Sequence, residues 1–244
     1  MIVSQLSLSY HDNKILENVN FELKSHLSIL GSNGSGKSTL AKALCGLIEY
    51  KGSIKLQGEE LSKISSKQRA KLISYIPSKM QSFEQFTTVQ DFVLLGRYPY
   101  KPSFKDYGIE DKNLVSQILH ELNITHLARH TLHELSSGQQ QLTLIAQALA
   151  QQSKILIFDE PTANLDPKNT SLFVKELQKL RQKYTTILIT HDIQLASFFN
   201  DPVLFIQDKK VRLFEEDFFN TQNLSQAYGI NFKNENGMIG ISYA

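Results

Sequence analysis

The sequence predicts an α/β fold: a mainly parallel sheet, an antiparallel β part near the start, and a helical insertion. Three observations carry this. The apolar run Leu27-Ser28-Ile29-Leu30 leads into Gly31-Ser32-Asn33-Gly34-Ser35-Gly36-Lys37-Ser38-Thr39 and then the helix former Leu40-Ala41-Lys42-Ala43-Leu44. That is strand, glycine-rich turn and helix, the context of a phosphate-binding loop. A later run, Thr185-Thr186-Ile187-Leu188-Ile189-Thr190, is β-branched and apolar enough for a strand buried on both faces. From about residue 78 to 152 the apolar spacing is helical.

In chain order, Leu6, Leu8 and Tyr10 alternate with Ser7 and Ser9, and Val19, Phe21 and Leu23 alternate again after the polar turn His11-Asp12-Asn13-Lys14. This reads as an antiparallel hairpin. The phosphate loop and its helix follow, ending near Gly46. Short strands are expected at residues 52–58, between glycines, and at 72–76, stopped by Pro77. Thr88-Val89-Gln90-Asp91 has the form of a capping box before an apolar run. Leu114, Ile118 and Leu122 mark a second helix, and Leu142, Ile145, Ala146 and Leu149 a third. The sheet resumes at Ile155-Leu156-Ile157-Phe158, and Asp166-Pro167 opens a helix with Asp as cap and Pro at its first position. Val203–Ile206 and Val211–Phe214 flank a polar turn as a hairpin. Residues 215–244 carry no clear pattern.

The 244 residues suit one large α/β domain or two small lobes. With 41% hydrophobic and 20% charged residues the composition is that of an ordinary globular protein, and a net charge of +2 gives no electrostatic reason to expect nucleic acid. The single cysteine, Cys45, excludes an intrachain disulfide. No apolar run nears the roughly 20 residues of a spanning helix, and residues 1–5 do not resemble a secretion signal. A cytoplasmic protein is expected.

The chemistry follows from the strand ends. Glycines let the backbone N–H groups of the loop converge on anionic oxygens, and the helix after it adds its positive end. Lys37 is suited to the terminal phosphates of a nucleotide, and the Ser38 hydroxyl to a magnesium ion. Ligands of parallel sheets bind outside the carboxyl ends of strands, where Asp159-Glu160, His191 and Pro77-Ser78 also fall. Asp159 is suited to hold magnesium, Glu160 to polarise an attacking water, and His191 to sense the γ-phosphate. Leu135-Ser136-Ser137-Gly138-Gln139 reads as a capping box, and it offers a second helix N-terminus able to meet phosphate.

This order of motifs resembles the nucleotide-binding subunit of an ATP-binding cassette transporter, from about Gln5 to Phe214. GSNGSGKST resembles the Walker A motif, with Gly31, Ser32, Asn33, Gly34, Ser35, Gly36, Lys37, Ser38 and Thr39 at the nucleotide. ILIFDE resembles Walker B, which implies magnesium at Asp159 and a catalytic carboxylate at Glu160. LSSGQ is similar to the signature LSGGQ and implies ATP contacts from Ser136, Gly138 and Gln139. Asn164-Leu165-Asp166 looks like the D-loop, and His191 matches the switch histidine. Tyr10 falls where the family stacks an aromatic ring on adenine; as a strand residue it shares parity with Leu6 and Leu8. The segment Phe86–Pro99 and the Asn223–Ile230 stretch are similar to importers of ferric siderophores, haem and vitamin B12.

The resemblance implies a P-loop NTPase (RecA-like) core. Residues 1–77 and 153–214 would form the catalytic core with its β subdomain, 78–152 the helical subdomain and 215–244 a C-terminal extension. It implies ATP hydrolysis with Mg2+, a head-to-tail pair of copies, a multi-spanning permease and, indirectly, a substrate-binding protein, with no nucleic acid. The location implied is the cytoplasmic face of the inner membrane. An exporter subunit or a regulator without a permease shares these motifs. A monomeric kinase would leave LSSGQ accidental, and a chromosome-maintenance ATPase would need a long coiled coil that the sequence lacks. Three departures stand out: Ser78 replaces the glutamine of the family's Gln loop, with Gln81 and Gln85 further along; Ser137 replaces the first glycine of the signature pair; and Gln140 and Gln147 stand where basic residues are common.

Overall fold

A computed structural model of the chain describes residues 1–11, 13–80, 86–102, 105–235 and 238–242. Asp12 of the expected turn, and Gln81 and Gln85, lie outside the described residues. The first elements are β1 (Ile2–Tyr10), β2 (Asn13–Glu22), β3 (Leu27–Gly31), α1 (Lys37–Leu44), β4 (Lys51–Leu56) and β5 (Glu59–Glu60). Then come α2 (Ser66–Ala70), β6 (Ile73–Ile76), α3 (Val89–Leu94), α4 (Ile109–Glu121), α5 (Ser137–Ala150), β7 (Ile155–Asp159) and α6 (Pro167–Arg181). The last are β8 (Thr185–Ile189), α7 (Ile193–Phe199), β9 (Val203–Gln207), β10 (Lys210–Phe214), α8 (Thr221–Tyr228), β11 (Phe232–Glu235) and β12 (Met238–Ile241).

The chain divides into two compact units, Met1–Leu61 with Ile187–Ala244, and Ser62–Thr186. In the first, β3 lies parallel to both β8 and β9, and β10 closes antiparallel on β9. All five residues of β3 are buried, as expected of a strand covered on both faces. A separate antiparallel sheet runs β2-β1-β4-β5. Its two long strands are bulged: the β1–β2 register shifts at Val3/Leu6, Leu6/Leu8 and Leu8/Ser9, and Gln5 and Asn18 take positive φ. Leu6 and Leu8 are fully buried, while Tyr10, the last residue of β1, is 53% exposed. The parity that groups the three in the sequence carries the first two into the core, and Tyr10 leaves it where the strand ends.

Part of the stretch after residue 214, the least readable as sequence, packs onto this unit. Leu30, Val203, Phe205, Phe218, Leu224, Ala227 and Phe232 form one core cluster, with the Phe205 ring 5.6 Å from Phe218 and 5.0 Å from Tyr228. Full burial of each such aliphatic or aromatic side chain is worth about 1.5–3 kcal/mol, so the extension is part of the fold.

The second unit holds the parallel pair β6–β7 and the helices α2 to α6. Thr88 caps α3, its Oγ1 accepting from the Asp91 N–H at 3.2 Å. The carboxylate of Asp91 accepts from the Thr88 hydroxyl instead of reaching back to the backbone, so the box is half made. Helix α5 is buried on nearly every face, more than the four-residue stripe read from the sequence. Arg97 ties the unit together. Its Nε meets Asp111 Oδ1 at 2.8 Å, and Nη1 donates to the Ala150 carbonyl at the end of α5 (2.9 Å) and to Gln152 Oε1 (2.7 Å). Asp166 caps α6 with Pro167 at its first position, as expected.

Candidate nucleotide site

The phosphate loop leaves β3 at Gly31 and enters α1 at Lys37. Gly36, the cap of α1, sits at φ +101°, and a Cβ there would lie 2.7 Å from Ile15 Cγ2 on β2. Only glycine takes that conformation without strain and fits that contact. Lys37 is 6% exposed; its Nζ donates to the carbonyls of Gly31 at 2.9 Å and Ser32 at 3.0 Å. The ammonium is therefore turned into the loop instead of out to solvent. Ser35 Oγ is buried with no partner among the described residues, an unmet hydrogen-bonding atom inside the loop. Ser32, Asn33, Gly34 and Ser38 are exposed and Thr39 is half-buried. Exposed polar groups around one buried cation suit a polyphosphate.

His191 follows β8. Ile29 of β3 pairs with Ile189 of β8, so Gly31 and His191 leave neighbouring parallel strands two residues beyond a shared rung. The sequence expected these two groups at one edge, and the register brings them there. Thr190 N–H donates to the Ile29 carbonyl at 3.2 Å, and Asp192 caps α7 by accepting from Leu195 N–H at 3.0 Å. His191 itself is exposed. Tyr10, at the exposed end of β1, is free of the core and available for stacking.

In the second unit β7 ends at Asp159, which is 4% exposed. The Tyr75 hydroxyl of β6 donates to Asp159 Oδ2 at 2.7 Å. Glu160 is half-buried at φ +49°, a left-handed conformation that costs a non-glycine residue of order 1 kcal/mol. It starts a turn in which its carbonyl accepts from Ala163 N–H at 3.2 Å. The Ser78 carbonyl, where the family keeps its Gln loop, accepts from Asn164 Nδ2 at 3.2 Å.

The LSSGQ stretch forms the capping box read from the sequence. Ser136 Oγ accepts from Gln139 N–H at 3.4 Å, and Gln139 Oε1 accepts from Ser136 N–H at 2.9 Å. Ser136 and Ser137 are exposed at the start of α5. Gly138 is needed for a contact that the sequence did not indicate. A Cβ on it would fall 2.6 Å from both Cγ and Oδ1 of Asn169, whose own amide donates to Asp166 Oδ2 at 2.8 Å. The signature and the start of α6 are thereby locked together. Two polar groups were missed: Asn169, and Tyr75, whose signal was a phenol inside an otherwise apolar strand, where buried hydroxyls usually find a partner.

Residues 16–163 match the ABC transporter family. The chain belongs to that family. It is 34% identical to the manganese transport system ATP-binding protein MntB of Halalkalibacterium halodurans, over 86% of this chain and 83% of that one. It is 34% identical to the petrobactin import ATP-binding protein FpuD of Bacillus anthracis, over 85% and 77%. Among solved structures it is similar to a metal-chelate type ABC transporter in an inward-facing conformation, with TM-score 0.83, 27% identity and coverage of 98% and 94%. It is also similar to the ATP-binding cassette MJ0796 in a dimeric post-hydrolysis state with ADP and Pi, with TM-score 0.72, 27% identity and coverage of 89% and 99%. The chain is thus an ATP-binding, ATP-hydrolysing ABC cassette with the mixed α/β fold that its sequence implied. No helix among the described residues is long and apolar enough to cross a membrane. In this cassette the segment similar to siderophore importers exposes Phe86, Leu95 and Tyr98, while its arginine, Arg97, is 8% exposed and structural.

Proposed function

We propose that two copies of the cassette close head to tail on two ATP molecules and so drive a membrane permease that imports a metal or metal chelate, of the iron-siderophore, haem or cobalamin type. The observation that carries the ATP reading is the phosphate loop: a buried Lys37 whose Nζ is held by the Gly31 and Ser32 carbonyls, with Ser35 Oγ unmet. Each site would take the loop, Asp159, Glu160 and His191 from one copy, and Ser136, Gly138 and Gln139 from the other, with Tyr10 against the adenine.

The donors fit magnesium. No group of three or more His, Cys, Asp or Glu side chains that could hold a metal exists among the described residues, so a lone metal site is not built. A buried carboxylate at Asp159 and the hydroxyl of Ser38 are hard oxygen donors, of the kind used by an ion that shares itself with substrate phosphates. Bound there, magnesium would offset negative charge on the nucleotide's phosphates. Lys37 then holds the γ-phosphate by charge. Glu160 takes a proton from the attacking water as its oxygen adds to phosphorus and the bond to the ADP oxygen breaks. His191 orients the γ-phosphate, and the partner's signature amides stabilise the charge that builds there.

Import is supported by the Phe86–Pro99 segment and by relatives named for petrobactin and manganese transport. The exposed Phe86, Leu95 and Tyr98 suit an apolar face of the permease, which would hold the cassette on the cytoplasmic face of the membrane. Residues 78–152 would act as the arm that carries this contact. The test is Glu160→Gln: turnover should fall at least about 100-fold while ATP produces a dimer by size-exclusion chromatography. Unchanged turnover with no ATP-dependent dimer would overturn the mechanism. Uptake of radiolabelled ferric siderophore and of manganese in a strain lacking the gene separates the two cargo classes.

A further inference from the structure

We infer that Tyr75 is a positioning residue for the Asp159 carboxylate. The inference rests on the reading of Asp159 as the carboxylate that meets the nucleotide's metal ion.

The argument begins with register. Strands β6 and β7 are parallel, with Ile73 opposite Ile155, Tyr75 opposite Ile157 and Ile76 opposite Phe158. Side chains two residues apart on a strand share a face, so Tyr75, Ile157 and Asp159 point to one side of the pair. The phenol is long enough to lean one rung along the strands, and its hydroxyl reaches Asp159 Oδ2 at 2.7 Å. Phe158 points the other way, into the core, with its ring 5.8 Å from Phe173. Asp159 is 4% exposed, so water contributes little to holding its carboxylate. A protein donor to one oxygen restricts how the carboxylate can turn.

The sequence departure at Ser78 gives the contact its significance. The sequence resemblance implies a glutamine three residues after Tyr75, in the Gln loop. Here that residue is serine, two carbons shorter, and its carbonyl is engaged by Asn164. The strand that leads into the loop still touches the metal carboxylate, through Tyr75. Partners that hydrogen-bond a ligating carboxylate set its orientation, and their loss typically costs 10- to 100-fold in metal affinity.

The test uses the full-length protein with Mn2+ as an EPR-visible probe and a non-hydrolysable ATP analogue. Mn2+ affinity is counted per analogue-bound chain, so that unfolded protein drops out. Tyr75→Phe removes only the hydroxyl and should weaken Mn2+ about tenfold while analogue affinity at saturating Mn2+ is unchanged. In parallel, the Mg2+ concentration for half-maximal ATPase should rise by a similar factor, with kcat recovered at saturating Mg2+. A role in packing alone would lower kcat at every Mg2+ concentration and leave Mn2+ affinity unchanged, and that result overturns the inference. Asp159→Asn separates the two levels. If it loses Mn2+ while Tyr75→Phe binds like the parent, the reading of Asp159 stands and the positioning role of Tyr75 fails. If neither variant moves Mn2+ affinity, the reading of Asp159 fails and takes the inference with it.

Discussion

Tyr228 shows what a single buried polar atom does to this protein. Its ring packs against Phe205 and Phe232, and its hydroxyl is buried without a partner among the described residues. Burial pushes the phenol pKa up to about 12 from 10.0. Two consequences follow. Tyr228→Phe deletes an unmet donor and should stabilise the fold by about 1 kcal/mol, read as a higher midpoint in urea. The sign of the pH effect is also fixed. The native phenol holds its proton more tightly than the unfolded one, so this contribution is fully present below pH 10 and is lost as pH rises toward 12. The loss is about 3 kcal/mol at 1.4 kcal/mol per pKa unit. Urea midpoints of the parent should fall across that window, and those of Tyr228→Phe should fall less.

Helix ends decide most of the chemistry at the scale of elements. The caps of α3, α5 and α6 were legible because Thr88, Ser136 and Asp166 carry their signals within four residues of sequence. Gly138 was legible as a glycine but not for its reason, because Asn169 lies thirty-one positions away and no local pattern links the two. The contact makes a prediction. Gly138→Ala places a methyl against an Asn169 side chain that Asp166 pins, and should cost about 1–3 kcal/mol. Asn169→Ala should restore most of it in the double variant, and a cycle of four urea midpoints checks the coupling. Helix α7 and residues 215–235 were unreadable for a similar reason. Their apolar residues are recruited by Leu30 and Phe205, and short helices show too few turns for periodicity to speak. Tyr10 shares the parity of Leu6 and Leu8 yet is exposed, because the strand ends at it and parity alone does not mark where a strand leaves the core.

At the scale of the whole molecule the chain divides into two units. The first carries the phosphate loop and His191, joined by the Ile29–Ile189 rung. The second carries Asp159, Glu160 and the LSSGQ helix start. Fold class and family were open to sequence because phosphate binding needs glycines, lysine and a strand–turn–helix in one short stretch. The Tyr75–Asp159 contact was not, because it depends on the pairing of strands eighty-four positions apart. The central claim is that one copy's Lys37 and another's Ser136 serve the same ATP. Mixing two damaged proteins, Lys37→Ala and Ser136→Glu, measures it most directly, because a head-to-tail pair of the two contains one undamaged site. The account predicts that each variant alone is inactive as an ATPase and that the mixture recovers activity. An active Ser136→Glu protein alone, or a mixture as inactive as its parts, would contradict it.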